Sequence, residues 1–239
     1  MSDKARLLAQ LARAVAAHAD AHPLPLRLCL ACVRILGVDG CALTVAYTNA
    51  NRVTLCATDP VAERLEDLQD VLGEGPGPEA YESGRLIVAR LGADGDAAGR
   101  WPMFNESAHA AVGALTLYAL PMRPDSVTLG VLTLHQRAAE QLEYDLEVAQ
   151  FLADALGAAL LNDARAETDL LSGPWSSRSQ IHQATGMVVA QLRISPADAL
   201  VLLRAHAYAH DTSLAAIAAD VLQRRLDFST TDDSGDETR

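Results

Sequence analysis

Four cysteines, Cys29, Cys32, Cys41 and Cys56, are the side chains of this 239-residue sequence best suited to nucleophilic, redox or metal chemistry. Cys29 and Cys32 form a C-x-x-C inside the apolar run LCLACVRIL. A zinc site needs a second ligand pair of similar spacing, and the sequence has none. Free cysteines in apolar runs pack as small hydrophobes, so these are read as buried core thiols, with no metal site. His109 and His135 have the donor chemistry for haem, but lone histidines are more often structural or exposed, so no cofactor is expected. No nucleophile elbow, paired carboxylates or P-loop stands out, and GEGPG (73–77) is too short and wrongly spaced to cradle a phosphate. No catalytic residue is expected, and the chain reads as a non-enzyme.

The more informative residues lie near the C-terminus. HQATGMVV (182–189) reads as helix, yet places Gly186 mid-helix, where glycine costs about 1 kcal/mol relative to alanine. At about 100° per residue, Ile181, Ala184, Thr185, Val188 and Leu192 form one apolar stripe. Gly186 falls on the far side with His182, Gln183 and Arg193, a small, polar, mildly basic face where something bulky can approach the backbone. On the next helix Ala199, Leu202, Leu203 and His206 form the inner stripe. Arg204 and Tyr208 project outward one turn apart, a guanidinium beside an aromatic ring, as suits stacking on unpaired bases. The bland reading of each is ordinary solvated surface.

The elements that position these residues follow from periodicity. Helices are expected at 4–19, about 26–36 and 60–72. Strands are expected at 41–47 and 52–58 as a hairpin, then at 86–91, 114–122 and 127–136. Residues 92–100 read as loop and 101–111 as a partly helical loop. Hairpin links without crossover helices imply an antiparallel sheet flanked by helices. One long helix is expected from about 140 to 170. Its seam, Leu142, Leu146, Ala149, Ala153, Leu156 and Leu160, fits a helix packed on its own sheet, or one whose C-terminal half also pairs with a second copy. SGPWSS (172–177) breaks the chain. Three helices follow, at about 178–193, from Pro196 to about 209, and from Thr212 or Ser213. The domains are therefore 1–139, a connecting helix 140–175, a helical domain 176–228 and a disordered acidic tail 229–239.

Net charge is −12, which argues against indiscriminate nucleic-acid binding by the whole chain. It divides as −10 over residues 1–175, +1 over 176–228 and −3 over 229–239. No apolar run reaches the roughly 18–20 residues that span a bilayer, and the N-terminus lacks a signal-peptide pattern. A cytoplasmic protein with no membrane partner is expected.

Taken together, RSQIHQATGMVV (178–189), SPADALVLLRAHA (195–207) and LAAIAADV (214–221) resemble the ANTAR domain. The resemblance implies a three-helix RNA-binding module of transcription antiterminators that binds paired hairpins as a dimer. Many members carry lysine where this chain has Thr185. The expected RNA-binding residues are Arg178, His182, Gln183, Gly186, Arg193, Arg204 and Tyr208. Residues 25–165 resemble a GAF domain through LGEGPGPEA (72–80), WPMF (101–104), ALTLYALPM (114–122) and LGVLTL (129–134). That implies a small-molecule sensor with its pocket between the sheet and 60–104. Gly77 stands where many relatives have cysteine.

The fold class expected is thus an α/β GAF domain followed by a small all-α ANTAR domain. The function expected is a signal-responsive antiterminator. Its partners would be RNA hairpin loops in leader transcripts, a second copy of itself and an unknown small-molecule signal. The alternatives are a DNA-binding regulator, although the third helix offers outward Ala216, Asp220 and Gln223 and reads a major groove poorly, or a GAF-type enzyme with a helical appendage.

Overall fold

A computed structural model describes residues 3–17, 21–48, 51–92, 95–124, 127–137, 142, 144–163 and 174–230. The chain opens with α1 (Asp3–Ala16) and α2 (Leu24–Leu36). The hairpin β1 (Gly40–Thr48) and β2 (Asn51–Ala57) follows, then α3 (Pro60–Leu72) and α4 (Pro76–Ser83). Next come β3 (Ile87–Arg90), α5 (Ala97–Arg100), α6 (Pro102–Val112), β4 (Leu115–Met122) and β5 (Gly130–Arg137). The five strands form one sheet in the order β2-β1-β5-β4-β3, antiparallel throughout as expected, with β5 placed between β1 and β4.

One face of the sheet buries α1, α2 and α7 (Leu146–Asn162) over Cys29, Leu43, Leu120, Leu134, Leu152 and Leu156. The other buries α3, α4 and α6 over Leu65, Trp101, Phe104, Ile87 and Leu117. That second layer occupies the region assigned above to a ligand pocket. Large side chains fill it, together with a buried polar chain: Thr44 donates to Glu66 (2.8 Å), Gln69 to Glu66 (2.9 Å), and the Gly77 N–H to Gln69 Oε1 (2.6 Å). Gly77 has no room for a side chain, since a Cβ there would lie 2.8 Å from that oxygen.

The connecting helix is shorter than its apolar pattern suggests. It begins at Leu146 after Asp145 and ends at Asn162, so Leu142 precedes it, and 164–173 lie outside the described residues. Ala149, Ala153, Leu156 and Leu160 turn inward onto the chain's own sheet. Gly157 lets α7 come close to β4, for a Cβ there would lie 3.2 Å from Met122 Cβ. The stretch 101–111 is a full helix, α6, rather than a partly helical loop, and Ala97–Arg100 adds a turn before it.

The C-terminal part is a three-helix unit of α8 (Pro174–Leu192), α9 (Pro196–Ala209) and α10 (Leu214–Leu222), closed by a short 3₁₀ turn at Phe228–Thr230. α8 starts at Pro174, inside the segment read as a break, because proline is favourable at a first helical position, where its missing N–H is not needed. Ser195 and Ser213 cap the next two helices through the N–H groups of Asp198 (3.1 Å) and Ala216 (3.2 Å). No single helix among the described residues is long and apolar enough to cross a membrane. The 231–239 part of the acidic tail lies outside them.

One polar node ties the first half together. Asp59 caps α3 by accepting from the Val61 and Ala62 N–H groups (2.9 and 3.0 Å). It also accepts from Thr58 Oγ1 (2.8 Å) and meets the buried His135 Nε2 of β5 at 3.1 Å. Burial pushes the Asp59 carboxyl up, but the hydrogen bonds from Ala62, Thr58 and His135 outweigh it and hold the group below its usual value. Gly40, paired with His135 across the sheet, makes room: a Cβ there would fall 1.8 Å from Asp59 Oδ2. Gly40→Ala is therefore expected to displace the cap and lower stability by about 2 kcal/mol, read as a drop in the urea midpoint with unchanged slope.

Candidate nucleic-acid interface

The three C-terminal helices share a small core of Ala184, Val188, Ala199, Leu203, Ala207, Ile217, Ala218 and Val221. The helical phases read from the sequence place most of these correctly. On α8, Ala184 and Val188 are fully buried, while Ile181, Thr185 and Leu192 are half-buried. Thr185 turns its hydroxyl to its own helix, donating to the Ile181 carbonyl at 2.7 Å.

Gly186 is exposed, and a Cβ built on it meets nothing within 4 Å. Its absence of side chain is thus unrelated to packing within this molecule. Gln183 is exposed beside it. Arg193 is exposed at the end of α8 with φ +56°, a left-handed turn that redirects the chain toward α9. Arg178 and His182 lie on the same helix, but their side chains are outside the described residues. Tyr208 on α9 is 49% exposed. His206 stacks on His210 with centroids 4.1 Å apart, and burial, then His210, holds it below its ordinary value.

Arg204 departs from its expected outward position. It is half-buried beneath the C-terminal end of α3, its Nη1 3.6 Å from where a Cβ on Gly73 would sit. Its Nε is buried without a hydrogen-bond partner among the described residues. Burial lowers its pKa, opposed by Asp70 and reinforced by Arg52; Arg52 itself pairs with Asp70 at 3.4 Å. Helical phase identified the side of α9 facing away from the three-helix core, but another element covers that side.

That element is α3. Val71 joins the C-terminal core, Arg64 forms an ion pair with Asp211, and α8 packs across β2. Two cavities remain along this seam. One of about 310 Å³ lies between β2, α3 and the residues Ile181 and Leu214. The other, of about 390 Å³, lies between α3, α6 and Tyr208. Glu63, Asp67 and Asp70 present carboxylates to the first of them.

The four cysteines converge on the opposite layer. Cys29, Cys32 and Cys41 are fully buried, Cys56 is half-buried, and all are free thiols. Burial pushes Cys32 up to about 12. The hydrogen bond with Cys29, and then burial, raises Cys56. Of the histidines considered for haem, His135 is taken by Asp59, and His109 is exposed on α6.

A sheet layered between helices, joined to a three-helix unit with a bare, exposed glycine, is a two-domain architecture. A GAF-domain model matches residues 27–160 and an ANTAR-domain model matches residues 174–222. The first covers more than half of the chain, which therefore belongs to the GAF family and carries an ANTAR domain. Comparison with curated proteins finds none that matches. The GAF domain is a sensory module and the ANTAR domain an RNA-binding antitermination module.

Asp67 lies at the contact between the two domains and lines both cavities. Burial, then Glu63 and Asp70, push its carboxyl up to about 6 against the pull of Arg64. In the unfolded chain it titrates near ~3.9. The folded state therefore carries an unfavourable charge at neutral pH, and this group adds stability as pH falls through 6 toward 4. Asp67→Asn is expected to raise the melting temperature at pH 7.5, with the difference from wild type shrinking as pH falls below 6 and vanishing only below the unfolded value of ~3.9. Thermal melts of both proteins across that range check it.

Proposed function

We propose that the chain is a signal-responsive antiterminator whose ANTAR helices bind hairpin loops in leader transcripts as a dimer. The observation that carries this reading is Gly186. An exposed helix backbone, with nothing of the molecule's own against it and Gln183 and Arg193 nearby, suits close approach by a phosphate chain. Arg178 and His182 belong to the same helix, and Arg204 and Tyr208 complete the site from α9 by stacking on splayed bases. With a domain charge of only +1, one copy binds weakly, and pairing two copies raises the effective concentration for a two-hairpin target.

The same reading gives the GAF domain its role. With Arg204 held under α3, the site is incomplete, and a signal that loosens α3 from α9 would release it. The second copy joins through the segment connecting the two domains. No step of this scheme makes or breaks a covalent bond, and it operates in the cytoplasm.

Gel-shift titration with a leader hairpin tests it. Gly186→Glu is expected to weaken binding at least tenfold, about 1.4 kcal/mol. Val71→Asp is expected to tighten it by undocking α3, and Arg204→Ala to abolish that gain. Equal affinity of wild type and Gly186→Glu, or preference for duplex DNA over the hairpin, would overturn the assignment.

A further inference from the structure

The thiol cluster has a use that the RNA-binding reading does not require. α2 packs against β1 and β2 so that Cys29 Sγ lies 3.4 Å from Cys56 Sγ, across 27 residues of sequence. Cys41 Sγ donates to the Cys29 carbonyl at 3.4 Å, which fixes the depth of Cys29 beneath the sheet. A disulfide has a sulfur–sulfur distance of about 2.05 Å. Closing the pair thus takes a movement of about 1.4 Å, within the reach of side-chain rotation.

The two sulfurs are unequal in access. Cys29 is fully buried. Cys56 is half-buried and lines the cavity of about 310 Å³ between β2 and the ANTAR helices, beside Ile181 and Leu214. Cys56 is thus the one of the two that borders a cavity, and its sulfur has Cys29 Sγ directly behind it.

We propose that Cys56 and Cys29 are a reversible redox couple, which a peroxide entering from the interdomain cavity oxidises to an internal disulfide. Cys56 sulfur attacks one peroxide oxygen and the O–O bond breaks. This leaves a sulfenic acid on Cys56, and the thiol proton departs with the other oxygen as water. Cys29 sulfur then displaces hydroxyl from the Cys56 sulfur, and its proton leaves with that hydroxyl as a second water. The two sulfurs together lose two electrons and the peroxide gains them. The hydrogen bond with Cys41, and burial, hold the Cys29 thiol up against the pull of Cys56, and the bond with Cys29, then burial, holds Cys56 up; with both sulfurs protonated the first step is slow, and the couple registers sustained rather than momentary oxidant. Its product draws Cys56 off the wall on which the ANTAR helices rest, since α8 packs on β2.

The test uses the full-length reduced protein, hydrogen peroxide, and alkylation of remaining thiols under denaturing conditions. Oxidation is expected to protect two of the four thiols, lower the intact mass by about 2 Da, and reverse with dithiothreitol. Trypsin should then yield peptide 28–34 (LCLACVR) linked to peptide 53–64 (VTLCATDPVAER). The link should persist in Cys32→Ala and vanish in Cys56→Ala. Four alkylatable thiols after peroxide, a link from peptide 53–64 to the Cys41 peptide 35–52, or an irreversible acid on Cys56 without a link would each overturn the proposal. None of these readouts involves RNA, so they stand apart from the outcome of the hairpin titration.

Discussion

Where α3 begins decides much of what this molecule does, and the Asp59 carboxylate decides where α3 begins. The group sits at the end of the β1–β2 hairpin, caps the helix, and reaches β5 through His135. The glycine opposite His135 makes that approach sterically free. With its start fixed, α3 presents two faces. The inner one sends Leu65 and Leu68 into the core, and Glu66 and Gln69 into the buried polar chain. The outer one carries Arg64, Asp67, Asp70 and Val71 to the ANTAR helices. A single helix therefore packs into both domains.

Much of this was legible in the sequence because local signals agree with the tertiary outcome. Asp59-Pro60 and Ser195-Pro196 each join a capping side chain to a proline at the first helical position, and both start helices. Alternating apolar runs gave the five strands, and the 3.6-residue period gave the ANTAR core. The failures share a cause. Periodicity tells which side of a helix is apolar, not what lies against it. The seam of α7 reads as one helix on a sheet, with or without a second copy along its C-terminal half, and its inward Ala149, Ala153 and Leu156 follow the sheet. Arg204 reads as outward because it leaves the ANTAR core, and only the fold brings α3 over it. Gly77 reads as a gap in a motif, but its N–H is needed at Gln69. The cysteines read as separate core thiols because nothing in a spacing of 27 residues indicates that α2 and β2 meet.

Gly186 and Arg204 differ in exposure. The first is open as the molecule stands. The second is enclosed and partly desolvated, with the Asp70 carboxylate opposing the effect of burial. Desolvating a guanidinium without full hydrogen bonding is costly, and the Nε of Arg204, without a partner among the described residues, carries that cost. The docked arrangement is thus held by Val71 and the apolar contacts around it more than by its charges, and the exposed Arg64–Asp211 pair adds little.

The carboxylates of α3 have a consequence for ionic strength. Salt weakens protein–nucleic acid association because each cation that replaces counterions on a phosphate chain makes binding depend on their release. Here the guanidinium would exchange an internal anion for an external one. Added salt screens Asp70 as well as the phosphates, loosening the intramolecular competitor as it weakens the ligand. The salt dependence of such an exchange is flatter than the number of phosphate contacts alone would give, so a shallow slope would count competing anions within the protein rather than few contacts to the nucleic acid.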